Sequence, residues 1–197
     1  MARDLKKMPD DILIALARGG NERAFETLVK RYEQTVYGFS IKVCRDKGKA
    51  EETLQDTFVN VYTHLGKYRS ASKFSTWLYS IVANNCLMKH RVRKIDEVME
   101  ALDEPPSAFE ESKTRQFALL NDSPEDRLLT KELRAHLDAA IQKLPMDYRI
   151  VFVMRNLEML SAEETAKILK LSIPAVKSRL RRARVFLRNE LAEFEVD

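Results

Sequence analysis

The stretch Ser161–Arg184, SAEETAKILKLSIPAVKSRLRRAR, decides the fold of its part of the chain. Its first residue is a serine and Glu164 follows three residues later, which is the arrangement of a capping box at the start of a helix. Ser172 is suited to cap a second helix, in whose first turn Pro174 is tolerated. Two short helices joined by a three-residue turn form a helix-turn-helix, so the stretch predicts that motif.

The second helix of this motif has an apolar side and a basic side. Val176, Leu180, Ala183 and Leu187 lie within about 40° of each other on one stripe, which is predicted to pack inward. Residues 165–189 include eight Lys or Arg and no Asp or Glu. A helix surface with a single charge sign favours binding to phosphates and base edges of DNA. The predicted major-groove residues are Lys177, Ser178, Arg181, Arg182, Arg184 and Arg188.

Charge is distributed unevenly along the 197 residues, whose formal net charge is +4. Residues 1–94 have 18 basic and 10 acidic side chains, residues 127–197 have 14 and 10, and residues 95–126 have 2 and 10. The basic segments favour polyanionic partners. The acidic segment includes Pro105-Pro106 and has weak apolar periodicity, so it is predicted to be a linker. Two alternatives stay open: the basic helix can pack against an acidic protein, and the acidity of the linker can serve solubility alone.

Apolar residues at three-and-four spacing recur along the rest of the chain and predict helices. Five glycines and six prolines are too few for an all-β fold with a turn at roughly every tenth residue. The sequence therefore predicts an all-α protein, with two small helical domains joined by the acidic linker. The predicted helices span about 10–18, 22–44, 50–65, 77–93, 123–144, 146–156, 162–169 and 173–193, with Asn21 capping the second and Ser75 or Thr76 the fourth. The residues predicted to face inward include Ile12, Leu13, Leu16 and Ala17 in the first helix and Leu54, Phe58, Val61, Tyr62 and Leu65 in the third.

Several classes of protein are excluded by what the sequence does not contain. No apolar run approaches the roughly 20 residues that span a bilayer, and the N-terminus MARDLKKMPDD has no signal-peptide core, so we expect a cytoplasmic protein without membrane insertion. Cys44 and Cys86 are expected to be buried thiols in a reducing compartment, without a disulfide. Cys86 and His90 lie four residues apart, but two ligands do not form a zinc site. No catalytic motif is found, and we predict no enzyme activity, metal or cofactor.

Residues 133–191 resemble region four of bacterial sigma factors of the extracytoplasmic-function group. The residues that carry the resemblance are Leu144-Pro145, Tyr148-Arg149, Ser161-Ala162-Glu163-Glu164 and Val176–Arg184. Lys170 and Pro174 stand where Gly is common in the family. The resemblance implies a domain that recognises the minus-thirty-five promoter element in the major groove and also holds the flap of RNA polymerase.

The stretch Ala50–Tyr62, AEETLQDTFVNVY, is similar to the core-binding helix of region two in the same family, commonly A-E-D-L-V-Q-E-T-F. Its acidic and amide side chains occupy successive turns of one face, which by itself is more typical of an ordinary solvated surface. The resemblance implies that this face docks on the clamp helices of the polymerase's largest subunit. The predicted polymerase-binding residues are Glu51, Glu52, Gln55, Asp56 and Asn60.

The stretch Phe74–Asn85, FSTWLYSIVANN, and the basic residues 89–94 after it are similar to the family's F-x-x-W-L-x-x-I-A-x-N segment and its basic tail. Aromatic side chains beside positive charge suit the binding of single-stranded DNA. The resemblance implies that the loop before this helix forms a pocket for one flipped base of the minus-ten element, although Trp77 fits a core position equally well. The predicted single-strand contacts are Tyr68, Ser72, Lys73, Phe74, Trp77, Asn84, Lys89, Arg91 and Arg93.

The sequence and the resemblance together predict a sigma factor that directs RNA polymerase core to promoters and promotes strand opening. Its domains are a region-two-like domain at 1–94, a linker at 95–126 and a region-four-like domain at 127–197. The resemblance also implies that the linker passes through polymerase channels and that an anti-sigma factor binds the free protein. The alternative from another class is a helix-turn-helix repressor or activator that binds a palindrome as a dimer without polymerase.

Overall fold

The computed structural model describes residues 5–69, 73–100 and 135–192, with the backbone alone for 92–100, and all regular structure in these ranges is helical. The chain divides into two compact units, formed mainly by residues 1–93 and by residues 94–197. Among the described helices, none is long and apolar enough to cross a membrane.

The N-terminal unit has four helices, and their starts follow from local capping. The helices are α1 (Asp10–Arg18), α2 (Glu22–Cys44), α3 (Lys47–His64) and α4 (Phe74–Glu100), with short 3₁₀ turns at Leu5–Lys7 and Leu65–Lys67. Asn21 caps α2 as predicted, because its side chain accepts a hydrogen bond from the backbone of Ala24 at 3.0 Å. Asp46 accepts one from Lys49 at 2.7 Å, and α3 therefore begins three residues before its predicted start at Ala50.

Helix α4 differs from its predicted bounds at both ends. It begins at Phe74, so Ser75 and Thr76 lie within its first turn and neither is the cap. It continues to Glu100 instead of ending near Arg93, and its last turns therefore extend into the predicted linker. Charged residues are compatible with a helix, but a run of them hides the apolar periodicity from which the helix was predicted. The predicted helix therefore ended too early.

The core of the N-terminal unit is formed where α2 packs against α1 and α3. In α3 the buried residues are Ala50, Thr53, Thr57 and Val61, so the inner stripe is narrow and made of small side chains. Tyr62, predicted to face inward, is 63% exposed, because it lies about 100° around the helix from Val61. In α1, Leu13 and Ile14 are buried while Ile12 is 43% exposed, so the predicted inner face is rotated. The large buried side chains of α2 are Leu28, Val36, Phe39 and Val43.

The C-terminal unit has the helices that the sequence predicts. They are α5 (135–143), α6 (Met146–Phe152), which continues into a π turn at Val153–Leu157, α7 (Ala162–Leu169) and α8 (Ile173–Ala192). Of the helix predicted over 123–144, residues 123–134 lie outside the described residues. The described part ends, as expected, before Pro145. Helix α6 packs against α8, and the core between them includes Ile150, Val151, Val176 and Ala183.

Lys170, in the turn of the helix-turn-helix, has a left-handed backbone with φ of 54°. This conformation costs an L-residue roughly 1–2 kcal/mol, and Gly adopts it without that cost. We expect Lys170→Gly to raise the free energy of unfolding of the C-terminal unit by about 0.5–1 kcal/mol in urea denaturation followed by circular dichroism. Lys167→Gly, in the interior of α7 and equally exposed, should lower it by about 1 kcal/mol. If both variants lose the same free energy of unfolding, the left-handed backbone of Lys170 is not a source of strain.

Candidate nucleic-acid interface

Helices α7 and α8 and the turn between them are fixed by three sets of local hydrogen bonds. Ser161 and Glu164 form the predicted capping box: the Ser161 amide donates to Oε2 of Glu164 at 2.8 Å, and the Glu164 amide donates to Oγ of Ser161 at 3.0 Å. After the left-handed residue of the turn, the Leu171 amide donates to the carbonyl oxygen of Ala166 at 2.9 Å and closes α7. Oγ of Ser172 accepts from the Ala175 amide at 3.3 Å and starts α8. The helix-turn-helix is therefore held by its own backbone and caps.

Helix α8 separates its apolar and basic residues as predicted. Val176, Leu180, Ala183 and Leu187 are all buried. The predicted DNA contacts Lys177, Ser178, Arg181, Arg182 and Arg184 are exposed, and Arg188 is half-buried. The helix therefore presents a continuous surface of positive charge on the side away from the core.

Residues of α6 and its π turn hold three arginines of α8 in place. Nη1 of Arg182 donates to the Tyr148 hydroxyl at 3.3 Å, and Nη2 of Arg184 donates to Oδ1 of Asn156 at 3.2 Å. Because both acceptors are neutral, these bonds orient the guanidinium groups and leave their charge in place. Arg179, which the sequence did not nominate, lies 3.7 Å from Asp147. These positioning contacts join residues about 30 positions apart, which periodicity along one helix does not detect.

A face of α3 in the N-terminal unit carries the predicted acidic and amide residues. Glu51, Glu52, Gln55 and Asp56 are exposed, so this face is available to a partner. Asn60 is half-buried, and its Nδ2 donates to Oδ1 of Asn85 on α4 at 3.2 Å. We name the exposed residues 51, 52, 55 and 56 the acidic face.

Lys89, predicted to contact single-stranded DNA, instead lies against the acidic face. Its Nζ is 3.1 Å from Oε2 of Glu52 and 2.9 Å from Oδ2 of Asp56, and its side chain is only 25% exposed. Burial alone lowers the pKa of Lys89, but the hydrogen bonds and charges of Asp56 and Glu52 outweigh it and raise that pKa above its ordinary value. The ammonium group pairs with two carboxylates in this structure, and its contact with single-stranded DNA stays a prediction.

Two large apolar side chains stand exposed beside the acidic face. Val59 is 64% exposed and Tyr62 is 63% exposed, four and seven residues after Gln55 on α3. Tyr62 has an edge contact with Phe25, whose ring centroid is 5.0 Å away. Exposed apolar side chains next to polar ones are typical of a protein-protein interface. Sequence reasoning missed both residues, since their apolar character suggested burial.

A cavity of about 300 Å³ opens between α3, the turn after it and α4. Two residues predicted to contact single-stranded DNA line it, Trp77 and Asn84, together with Asn60, which is predicted to bind the polymerase. The sequence analysis did not nominate the other lining residues, which are His64, Lys67, Ile81 and Asn85. The lining thus combines an indole, amide groups and one cation, the groups that stack on a base, hydrogen-bond its edge and neutralise its phosphate.

Tyr68 and Phe74, also predicted as contacts to single-stranded DNA, are core residues. They are 7% and 4% exposed, and their ring centroids lie 5.1 and 5.7 Å from that of Trp77. Both rings pack against Trp77 and support its position, and their contact with single-stranded DNA stays a prediction. Lys73, Asn84 and Arg91 are exposed. Ser72 and the side chain of Arg93 lie outside the described residues.

Arg18 of α1 holds the segment that leads to this aromatic cluster. Its Nε donates to the carbonyl oxygen of Leu65 at 3.0 Å, and its Nη2 donates to that of Tyr68. The guanidinium carbon lies 5.9 Å from the centroid of the Tyr68 ring. Sequence reasoning did not identify this residue, because its partners are about 50 positions away along the chain.

Comparison with known proteins identifies the family. The family description Sigma-70 region 2 matches residues 28–95, and Sigma-70, region 4 matches residues 134–187. The RNA polymerase sigma-H factor of Pseudomonas aeruginosa is 33% identical over 184 residues, which cover 91% of this chain and 92% of that protein. The ECF RNA polymerase sigma factor SigW of Bacillus subtilis is 30% identical over 182 residues, which cover 91% and 95%. The chain belongs to the extracytoplasmic-function group of the sigma-70 family.

The fold of this sigma factor is similar to that of a relative of known structure. CnrH, solved in complex with the cytosolic domain of CnrY, is 26% identical, with a TM-score of 0.62, and the match covers 93% of this chain and 97% of CnrH. The sigma factor directs RNA polymerase to promoters, and its partners are the polymerase and promoter DNA. Sigma factors are initiation factors and not enzymes, which confirms that prediction and sets aside a repressor that acts without polymerase.

Proposed function

We propose that the sigma factor divides promoter recognition between its two units. Residues 127–197 bind the duplex minus-thirty-five element, and residues 1–94 bind core polymerase and the unpaired minus-ten element. The observation that carries the proposal is the two-sided character of α8, whose apolar row is buried and whose basic residues face outward. An α-helix fits the major groove, and such a helix presents its polar side chains to base edges and phosphates.

On α8, residue type and anchoring suggest which contacts specify sequence. Arg181 is exposed and can donate two hydrogen bonds to the edge of a guanine, which distinguishes that base from the others. Lys177 and Ser178 suit phosphate oxygens, which fix the register of the helix on the duplex. Arg182 and Arg184 donate to neutral acceptors of α6 and its π turn, and we assign them to phosphates at the flanks of the groove.

The cavity beside α4 is the proposed site for one flipped base of the non-template strand. The Trp77 ring provides a wall for stacking, and the amide of Asn84 offers both a donor and an acceptor to the base edge. Lys67 is exposed at the cavity and can neutralise the neighbouring phosphate. Because a base enters only when the duplex is open, its binding shifts the equilibrium toward the open complex and so promotes strand opening.

The acidic face, with Val59 and Tyr62, is the proposed docking surface for the clamp helices of the polymerase. Carboxylates attract a basic helical surface, and an exposed tyrosine is a frequent anchor of protein interfaces. Lys89 of α4 forms ion pairs with Glu52 and Asp56 of α3. These ion pairs fix the position of the acidic face relative to the cavity. Docking on polymerase thus positions the base-binding site.

We expect Glu51→Arg/Gln55→Arg to weaken binding to core polymerase by at least ~10-fold, because like charges then meet across the interface. Neither Glu51 nor Gln55 takes part in the Lys89 bridges. The matched control is Glu22→Arg/Gln34→Arg, which makes the same two changes on exposed positions of α2. Affinity is measured by fluorescence anisotropy, and promoter-specific transcription is scored with purified core enzyme. Equal binding by both variants would place the polymerase contact elsewhere.

The proposed roles of the two units also bear on where the sigma factor acts and on which protein regulates it. We infer that the sigma factor acts in the cytoplasm, where its polymerase is, and that an anti-sigma protein captures the free chain. The structural similarity to CnrH, which was solved with the cytosolic domain of a second protein, supports such a partner. For residues 95–126 we propose the role of a linker that occupies polymerase channels, supported by their ten acidic side chains.

A further inference from the structure

Two thiols lie side by side in the N-terminal unit, and the proposed function uses neither. Cys44 is the last residue of α2 and Cys86 lies in α4, 42 positions later, yet their Sγ atoms are 2.9 Å apart. Cys86 is only 2% exposed, whereas Cys44 is half-buried. Both are free thiols. The pair therefore combines a partly exposed cysteine with a buried one, and their sulfurs are in direct contact.

The environments of the two thiols make them chemically unequal. The hydrogen bond from Cys86 lowers the pKa of Cys44 below its ordinary value; burial opposes this, while Thr53 and the positive charges of Lys89 and Lys49 reinforce it. The hydrogen bond to Cys44, together with burial, raises the pKa of Cys86. Since the thiolate is the nucleophile and Cys44 is the less buried of the two cysteines, we expect an oxidant to react first at Cys44. A partly exposed thiol whose pKa is lowered, beside a second cysteine, is the arrangement of redox-responsive pairs.

We propose that Cys44 and Cys86 are a reversible oxidation site, at which peroxide converts the two thiols into a disulfide that joins α2 to α4. The Cys44 thiolate attacks one oxygen of hydrogen peroxide, which breaks the O–O bond, forms a sulfenic acid and releases hydroxide. The Cys86 thiol then attacks the Cys44 sulfur, and its proton leaves with the sulfenic hydroxyl as water. Peroxide is thereby reduced, and each sulfur is oxidised by one electron.

The disulfide preserves the fold of the N-terminal unit and stabilises it. A disulfide is about 2.05 Å long, so the two sulfurs need to approach by less than about 1 Å from their present separation. The link closes a loop that contains all of α3 and the first half of α4, and constraining such a loop destabilises the unfolded chain. Helix α4 carries Trp77 and Asn84, so oxidation holds the proposed base-binding site in its folded position.

Oxidation of the full-length protein by hydrogen peroxide tests the proposal independently of the assigned DNA and polymerase contacts. We expect thiol titration in denaturant to show loss of both thiols, and peptide mapping to show one intrachain Cys44–Cys86 link. The thermal midpoint of the N-terminal unit should rise by about 10 °C and return on reduction with dithiothreitol. Thiols that persist in the treated protein, or links only between chains, would overturn the proposal.

Two variants separate the roles of the sulfurs. Cys86→Ala should stop at the sulfenic acid of Cys44, which dimedone labels, and should show no rise in thermal midpoint. Cys44→Ala should leave Cys86 reduced under the same treatment, because Cys86 is buried. If a variant fails to fold, the wild-type peptide map and the reversible thermal shift still decide the matter. Dimedone labelling of Cys86 in place of Cys44 would reverse the assignment and refute the proposed order of attack.

Discussion

Lys177→Ala/Arg181→Ala should reduce the affinity of the holoenzyme for its minus-thirty-five duplex by about 100-fold. A bidentate contact from Arg to a base contributes roughly 1–3 kcal/mol, and loss of a phosphate contact by Lys adds to it. Both side chains are exposed on the side of α8 away from Val176 and Leu180, so their removal leaves the core intact. The measurement is competition between promoter duplexes selected by the wild-type holoenzyme and scrambled duplexes of the same length.

Arg23→Ala/Lys30→Ala is the matched control for this loss of two positive charges. Both residues are exposed on α2, so the net charge changes equally while α8 is untouched. We expect this control to retain binding within about 3-fold, since distant charges are screened by salt. A comparable loss in the control would mean that total charge, and not the surface of α8, determines affinity.

Arg181→Lys separates base recognition from charge. Lysine keeps the positive charge and cannot form the planar pair of hydrogen bonds to guanine. The slope of log affinity against log salt should therefore stay the same, while discrimination between selected and scrambled duplexes falls by about 10-fold. If the salt slope changes and the discrimination does not, Arg181 contacts a phosphate and another residue recognises the base.

The helix-turn-helix could be predicted almost to the residue because its determinants are local. The capping box at Ser161 and Glu164, the cap at Ser172 and the apolar row of α8 each involve residues within a few positions of each other. Short-range hydrogen bonds and the helical period depend only on the nearby sequence, so they can be recognised without a tertiary structure. The same holds for Asn21 at the start of α2.

The surroundings of the residues near the cavity were predicted less well, because tertiary contacts determine which of them are buried and which partners they have. Lys89 looks like part of a basic tail in the sequence, and only the packing of α4 on α3 brings it to Glu52, 37 positions away. Tyr68 and Phe74 resemble exposed stacking residues, yet they are buried because they pack around Trp77. Conversely, the exposure of Tyr62 follows from the narrow inner stripe of α3. Residue type alone does not distinguish a buried aromatic ring from an exposed one.

The second large effect is expected at the cavity, where Lys67→Ala/Asn84→Ala should reduce the yield of open complexes by about 30-fold. Loss of one hydrogen bond to the base edge and of one charge-assisted contact to its phosphate costs about 2 kcal/mol in total, and this stabilisation acts only on the melted state. Open complexes are scored by permanganate reactivity of unpaired thymines. Closed-complex binding to the minus-thirty-five duplex should not change, because α8 is intact. Gln34→Ala/Lys30→Ala, which removes one amide and one lysine from exposed positions of α2, is the matched control.

A DNA substitution combined with the protein variant shows whether a base occupies the cavity. Abasic sites are placed one at a time along the non-template strand of the minus-ten element. If the amide of Asn84 binds the edge of one base, removal of that base should abolish the effect of Asn84→Ala on open complexes, whereas the effect of Lys67→Ala, which acts on the retained phosphate, should persist. Abasic sites elsewhere should add to the effect of Asn84→Ala. Should every abasic position add fully, the cavity does not hold a base, and its residues act on strand opening only through the packing of α3 against α4.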